Sequence, residues 1–147
     1  MTITRALSLA TTVFVLGSLG GPSLSAQRRV LQSVVERDAE VRATEPGPHD
    51  GGGQTVAYSF FKNAPDLKLI FRKRALKPGS AIGYHEQAED EIYYVLSGRG
   101  EMTIDGKSFE MKPGDALLTR PGASHGLKQI GAEDLVILIN YEQVAKP

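Results

Sequence analysis

The sequence contains no cysteine, which excludes a disulfide framework, thiolate metal sites, iron–sulfur clusters and a cysteine nucleophile together. Any metal must therefore sit on imidazole, carboxylate, amide or water. An excess of charge of one sign is also missing: 17 Lys plus Arg balance 17 Asp plus Glu, and the largest basic run is Arg72-Lys73-Arg74. There is no electrostatic footprint for nucleic acid, which is not expected as a partner. Long apolar runs are lacking too. The most apolar stretch, Ala6 to Leu16, is rich in Thr and Ser and falls short of the roughly 17–25 residues of a spanning helix. With one charge at Arg5 and small residues at its end, segment 1–26 has instead the layout of a cleaved secretory signal peptide. The expectation is a secreted or periplasmic protein without membrane attachment after cleavage.

What is present, in a chain of 147 residues with 41% hydrophobic and 23% charged residues, suits one globular domain with one core. Residues 27–54 form an N-terminal segment. Its apolar positions between Arg28 and Arg42 fit a helical face or an edge strand equally, and it ends in the Gly/Pro-dense loop EPGPHDGGGQ. The domain proper is expected over 55–147. There, strand-length runs such as LKLIFRKRAL, EIYYVLSG, HGLKQI and DLVILINY recur between turn signals, and no helical period or internal repeat is visible. Asp105-Gly106 marks a two-residue hairpin, and Lys77-Pro78-Gly79 and Lys112-Pro113-Gly114 suit tight turns. Eight or nine short strands with closely spaced turns predict an all-β sandwich, jelly roll or small barrel, since closure hides strand edges.

Histidine is scarce, with three in all, and two of them carry the chemistry. His85 and Gln87 are two apart, so on a strand they share a face, and Glu91 joins it if the strand resumes in phase. His125 arrives from a second strand-like segment. Two imidazoles and a carboxylate converging inside a small barrel make a site for a divalent first-row metal. Glu89 is the reserve carboxylate, while Glu86 and Asp90 are read as solvated charges. Tyr93 has the parity of Glu91 and is a candidate catalytic hydroxyl. Gln129 shares parity with His125, and Arg120 has the planar fork that suits a carboxylate, so both are candidate substrate contacts. Lys62, Arg72, Lys73 and Arg74 are assigned to a solvated strand face. His49, in the Gly/Pro-rich loop with no partner at metal-like spacing, is read as incidental.

These segments resemble the two motifs of the cupins. Gly79, five residues, His85, one, Gln87, three, Glu91, six and Gly98 reproduce the first motif's spacing, with Gln87 where the family usually has its second His. Gly114, Gly122 and His125 meet the second, with Arg120 in place of a Pro and Gln129 in place of an Asn. The resemblance covers about Thr55 to Tyr141 and implies a cupin-type double-stranded β-helix, or jelly-roll barrel, behind an irregular or short helical N-terminal segment. It implies His85, Glu91 and His125 as metal ligands, with Gln87 at the altered position. An amide oxygen is harder and weaker than imidazole, which favours Fe(II) or Mn, with Zn, Ni or Co as further candidates. Without Gln87 the set is the two-His, one-carboxylate triad of non-haem Fe(II) oxygenases. The functional expectation is an exported metal-dependent enzyme acting on a small oxygenated substrate, dioxygenase-like before isomerase-like. The alternative is a non-catalytic small-molecule or sugar binding module. The resemblance also implies a homodimer formed through N-terminal strands.

Overall fold

The computed structural model describes residues 31–143. The expected signal peptide, 1–26, lies outside the described residues, as do 27–30 of the N-terminal segment. A single helical turn, α1 (Asp38–Val41), precedes ten strands: β1 (Arg42–Pro46), β2 (Gln54–Phe60), β3 (Leu69–Leu76), β4 (Ala81–Glu86), β5 (Glu91–Ser97), β6 (Arg99–Ile104), β7 (Lys107–Met111), β8 (Ala116–Thr119), β9 (Ser124–Ile130) and β10 (Leu135–Glu142). The helical turn closes on itself, with the Arg37 amide donating to Glu40 Oε2 at 2.8 Å. Of the segment left open between helix and edge strand, 31–37 forms neither, only Asp38–Val41 is helical, and β1 begins at its last residue, Arg42, and takes in Glu45 and Pro46 of the expected loop, bringing the sheet further towards the N-terminus than the Thr55 start read from sequence.

All strand pairs are antiparallel and fall into two sheets: β1-β2-β3-β10-β5-β8 and β4-β9-β6-β7. The expected all-β jelly-roll architecture is what the chain adopts. Turn chemistry sets the registers. Asp105 (φ 46°) and Gly106 (φ 78°) form the β6–β7 hairpin, since two consecutive left-handed residues give the turn whose twist matches the flanking strands. At the two Pro-Gly sites, Ser80 N donates to Lys77 O (2.9 Å) and Asp115 N to Lys112 O (3.0 Å).

Alternation along the strands then fills the interior. Val95 and Tyr93 of β5, Ile137 and Ile139 of β10, Leu76 of β3, Met102 of β6 and Leu127 of β9 form the core. Further along the same inward rows, towards one end, the letters turn polar: Glu91 on β5 and His125 on β9 are 6% and 0% exposed. The inward row of β3 runs from Leu76 to Arg74 and Arg72, which lie opposite Ile137 and Ile139. Arg74 is buried and Arg72 and Lys73 are half-buried, so the solvated-face assignment is corrected for all three; Lys73, on the opposite face of β3, lies over the Tyr58 ring at 4.2 Å and against Asp38. Burial of Arg74 is tolerated because its guanidinium donates to Thr55 Oγ1 (2.6 Å) and Glu45 Oε2 (3.1 Å). Among the described residues no helix is long and apolar enough to cross a membrane.

Candidate metal centre

His85 on β4 and His125 on β9 are direct cross-strand partners, with ring centroids 4.5 Å apart. A regular strand would point Ile82 and His85, an odd number apart, to opposite faces. The ladder slips between them, and the bulge at Gly83-Tyr84 turns His85 inward and leaves Tyr84 exposed. His85 Nδ1 donates to the Gly83 carbonyl at 2.8 Å. That fixes the tautomer and leaves Nε2 with its lone pair.

The opposite sheet contributes Glu91 and Tyr93 from β5. The Tyr93 hydroxyl lies 3.0 Å from His125 Nε2. Burial first, and then the Glu91 carboxylate, push this phenol well above its ordinary pKa, so it holds its proton at neutral pH. His125 Nε2 and the Glu91 carboxylate are the two acceptors beside this hydroxyl. Glu91 Oε2 stands 3.2 Å from the same Nε2. Neither Glu91 Oε2 nor His125 Nδ1 has a hydrogen-bond partner. A carboxylate oxygen and an imidazole nitrogen thus stand side by side in a buried place. Buried polar atoms are nearly always paired, and a buried carboxylate needs a cation. One donor atom from each of His85, Glu91 and His125 lies within 4.8 Å of the others. The orphaned oxygen and the donor chemistry both fit a divalent metal ion.

Gln87 is held beside this group by its backbone: its N–H donates to Ala123 O (2.9 Å) and its carbonyl accepts from Gly122 N (2.8 Å). Its side chain is buried, and the amide nitrogen donates to Glu89 Oε2 at 3.4 Å. The amide oxygen is left without a partner among the described residues. His85, Gln87, Glu91 and Tyr93 line one cavity of about 240 Å³, below the roughly 300–1,000 Å³ of drug-sized sites, which suits a small ligand. Glu89 lines it too, but outside the three-residue ligand group.

Two sequence candidates are not brought to this cavity. Gln129 points inward, but four residues along a strand is about 13 Å from His125. Its amide is consumed there by Gly79 N (2.9 Å), Gly131 O (3.0 Å) and Glu133 O (2.7 Å), a brace between turns. Arg120 lies on the exposed loop after β8, paired with Asp90 at 3.1 Å. Four residues read otherwise do line it: Arg72, Arg74, His49 and, at an exposed position, Glu86. The His49 ring stacks on His85 with centroids 3.5 Å apart and planes 5° from parallel. Desolvation, and then the His85 imidazole, hold His49 below its ordinary pKa, which favours the neutral ring. The incidental reading of His49 is corrected. Its loop folds back over β4, a long-range placement that motif spacing does not report.

A cupin domain model matches residues 73–141. An oxalate-binding protein of Thermotoga maritima is 40% identical over 109 residues, covering 71% of this chain and 90% of that protein. Among solved structures, a predicted oxalate decarboxylase of Thermotoga maritima superposes with a TM-score of 0.68 at 31% identity, over 76% of this chain and all of that one. The polyketide cyclase RemF of Streptomyces resistomycificus shares the fold, with a TM-score of 0.65 at 17% identity over 79% of this chain and 83% of that one. With two sheets in jelly-roll order, a matching domain model and a 40% identical relative spanned almost end to end, the chain belongs to the cupin family.

Proposed function

We propose that this chain is an exported, divalent-metal cupin whose cavity takes a small oxygen-rich anion, a carboxylate of the oxalate class. The observation that carries this reading is that His85 and Glu91 of the His85–Glu91–His125 ligand group line one small cavity together with Arg72, while His125 is fully buried beside them. Arg72 is half-buried, and it has no carboxylate partner among the described residues. A bound divalent ion supplies Lewis acidity at two neighbouring ligand oxygens. Arg72 then offers a planar fork to a carboxylate, and Arg74, fixed by Thr55 and Glu45, adds positive charge at the wall. The Gln87 amide oxygen supports Mn or Fe(II) as the ion. The 40% identity to an oxalate-binding protein of Thermotoga maritima supports the oxalate class.

Turnover of the bound molecule, dioxygenase-like before isomerase-like, is a second reading. It rests on Tyr93, a protonated hydroxyl on the cavity wall that can give a proton to a ligand oxygen. Homodimer formation belongs to the same proposal: the outer face of β5 and β8 exposes Ile92, Tyr94, Leu96 and Leu118, and β1 is the edge strand of its sheet among the described residues. A monomeric mass by light scattering at micromolar concentration removes it.

The decisive experiment is calorimetric titration of oxalate into protein with and without Mn(II), for wild type, His125→Ala and Arg72→Gln. Wild type is expected to take up about one metal per chain and to bind oxalate only when loaded. His125→Ala should bind neither, and Arg72→Gln should keep the metal and lose about tenfold or more in oxalate affinity. Oxalate binding to metal-free protein, or no metal uptake from Mn(II), Fe(II) or Zn(II), overturns the reading.

A further inference from the structure

We propose that His49 is a positioning residue of the metal centre, holding the His85 imidazole in its ligating orientation by ring stacking. The inference rests on the metal reading above and concerns a residue that lies outside both motifs. His49 is solvent-exposed, and its side chain makes no hydrogen bond among the described residues. Its contact is the face of His85, 3.5 Å between centroids and 5° from parallel. The backbone goes to unusual lengths to place it there. His49 and Asp50 are consecutive non-glycine residues at φ 53° and 57°, a region that side chains disfavour and that persists where the surroundings over-determine it.

The surroundings here do so. Gly51 N and Gly83 N both donate to the Pro48 carbonyl (3.1 and 2.9 Å), and Ala81 N donates to Gly52 O at 3.4 Å. The loop lies so close on β4 that a Cβ at Gly47, Gly51 or Gly83 would come within 2.2, 2.1 or 1.8 Å of a backbone oxygen. Gly83 is the junction: its N–H holds the loop through Pro48 and its carbonyl holds His85 Nδ1. His85 is thus fixed at one ring atom by Gly83, flanked by His125 at 4.5 Å, and covered on a face by His49. Rotation of its ring would break the stack, so the aim of Nε2 is set before any ion arrives. Such outer contacts are typically worth about 10–100-fold in metal affinity.

The test is Mn(II) titration of the full chain, followed by the electron paramagnetic resonance signal of the free ion, for wild type, His49→Ala and His49→Phe. Phenylalanine keeps a flat stacking ring and removes both nitrogens. His49→Ala should raise the dissociation constant about tenfold, and His49→Phe should stay within about threefold of wild type. The Co(II) absorption spectrum of the Phe variant should match wild type, and the metal-free melting temperatures should coincide because His49 is exposed. An Ala variant with wild-type affinity overturns the proposal. A Phe variant as weak as Ala, with an altered Co(II) spectrum, also overturns it by making His49 a ligand. Loss of metal in His125→Ala but not in His49→Ala would sink this inference alone, whereas no Mn(II) uptake by wild type would sink the metal reading with it.

Discussion

Replacing Gly83 by alanine would put a Cβ 1.8 Å from the His49 carbonyl oxygen, where real Cβ contacts essentially never fall under 3.0 Å. The loop must retreat by about 1.2 Å, and nothing soft lies in the way, because the next atoms met are the His49 carbonyl carbon and the Gly51 amide nitrogen. At that displacement the 2.9 Å bond from Gly83 N to Pro48 O is broken, which costs about 1 kcal/mol. Overpacking adds about 1–3 kcal/mol. A total of about 2–4 kcal/mol lowers the melting temperature of a domain this size by on the order of 10 °C. Thermal unfolding by circular dichroism measures it, with Gly106→Ala as the control. Gly106 also has a left-handed φ, but a Cβ there meets nothing within 4 Å, so only about 1 kcal/mol of backbone strain is expected. The two variants should also separate at the metal: Gly83→Ala weakens Mn(II) binding because the His49 stack is lost, and Gly106→Ala leaves it unchanged. A Gly83→Ala protein melting within about 2 °C of wild type, against the scale just given, would refute the steric argument.

Other perturbations have expected outcomes of their own. Leu127, 1% exposed in the core, should lose about 2–5 kcal/mol in urea unfolding when cut to alanine but under about 1.5 kcal/mol as methionine. Thr55→Val removes the acceptor of the 2.6 Å bond from buried Arg74 and should cost about 1–3 kcal/mol by the same assay; a neutral result would mean that Glu45 alone satisfies the guanidinium. Tyr93→Phe deletes the hydroxyl 3.0 Å from His125 Nε2 and should retain stoichiometric Mn(II). If the protein turns over a substrate, the same variant should lose about 10²–10⁴ in rate, and an unchanged rate would remove Tyr93 as the proton donor.

The candidate ligand group was legible because motif spacing and strand parity point the same way: His85, Glu91 and His125 come together, and Gln87 lines the same cavity as His85 and Glu91. The hairpin at Asp105-Gly106 was equally readable, since its left-handed demand is written in the residue types. Parity held the answer for Arg72 and Arg74 as well, which stand four and two residues from buried Leu76. It was set aside because charged residues are usually outside, and the partners that permit burial, Thr55 and Glu45, come from other strands. Gln129 shows the reverse: parity gave its face correctly, but not its distance along the strand. The bulge that turns His85 inward and the fold-back that delivers His49 leave only indirect marks, the glycines at 47, 51 and 83 where backbones touch.

Because one residue, Gly83, holds both the loop and the candidate ligand His85, the free energies of the two are linked. Whatever a preset loop gives to ion binding, ion binding returns in equal measure to the loop. The amides of Gly51 and Gly83, which close on the Pro48 carbonyl, should therefore exchange their hydrogens more slowly once the centre is loaded. The mouth of the cavity then stiffens in response to its own contents.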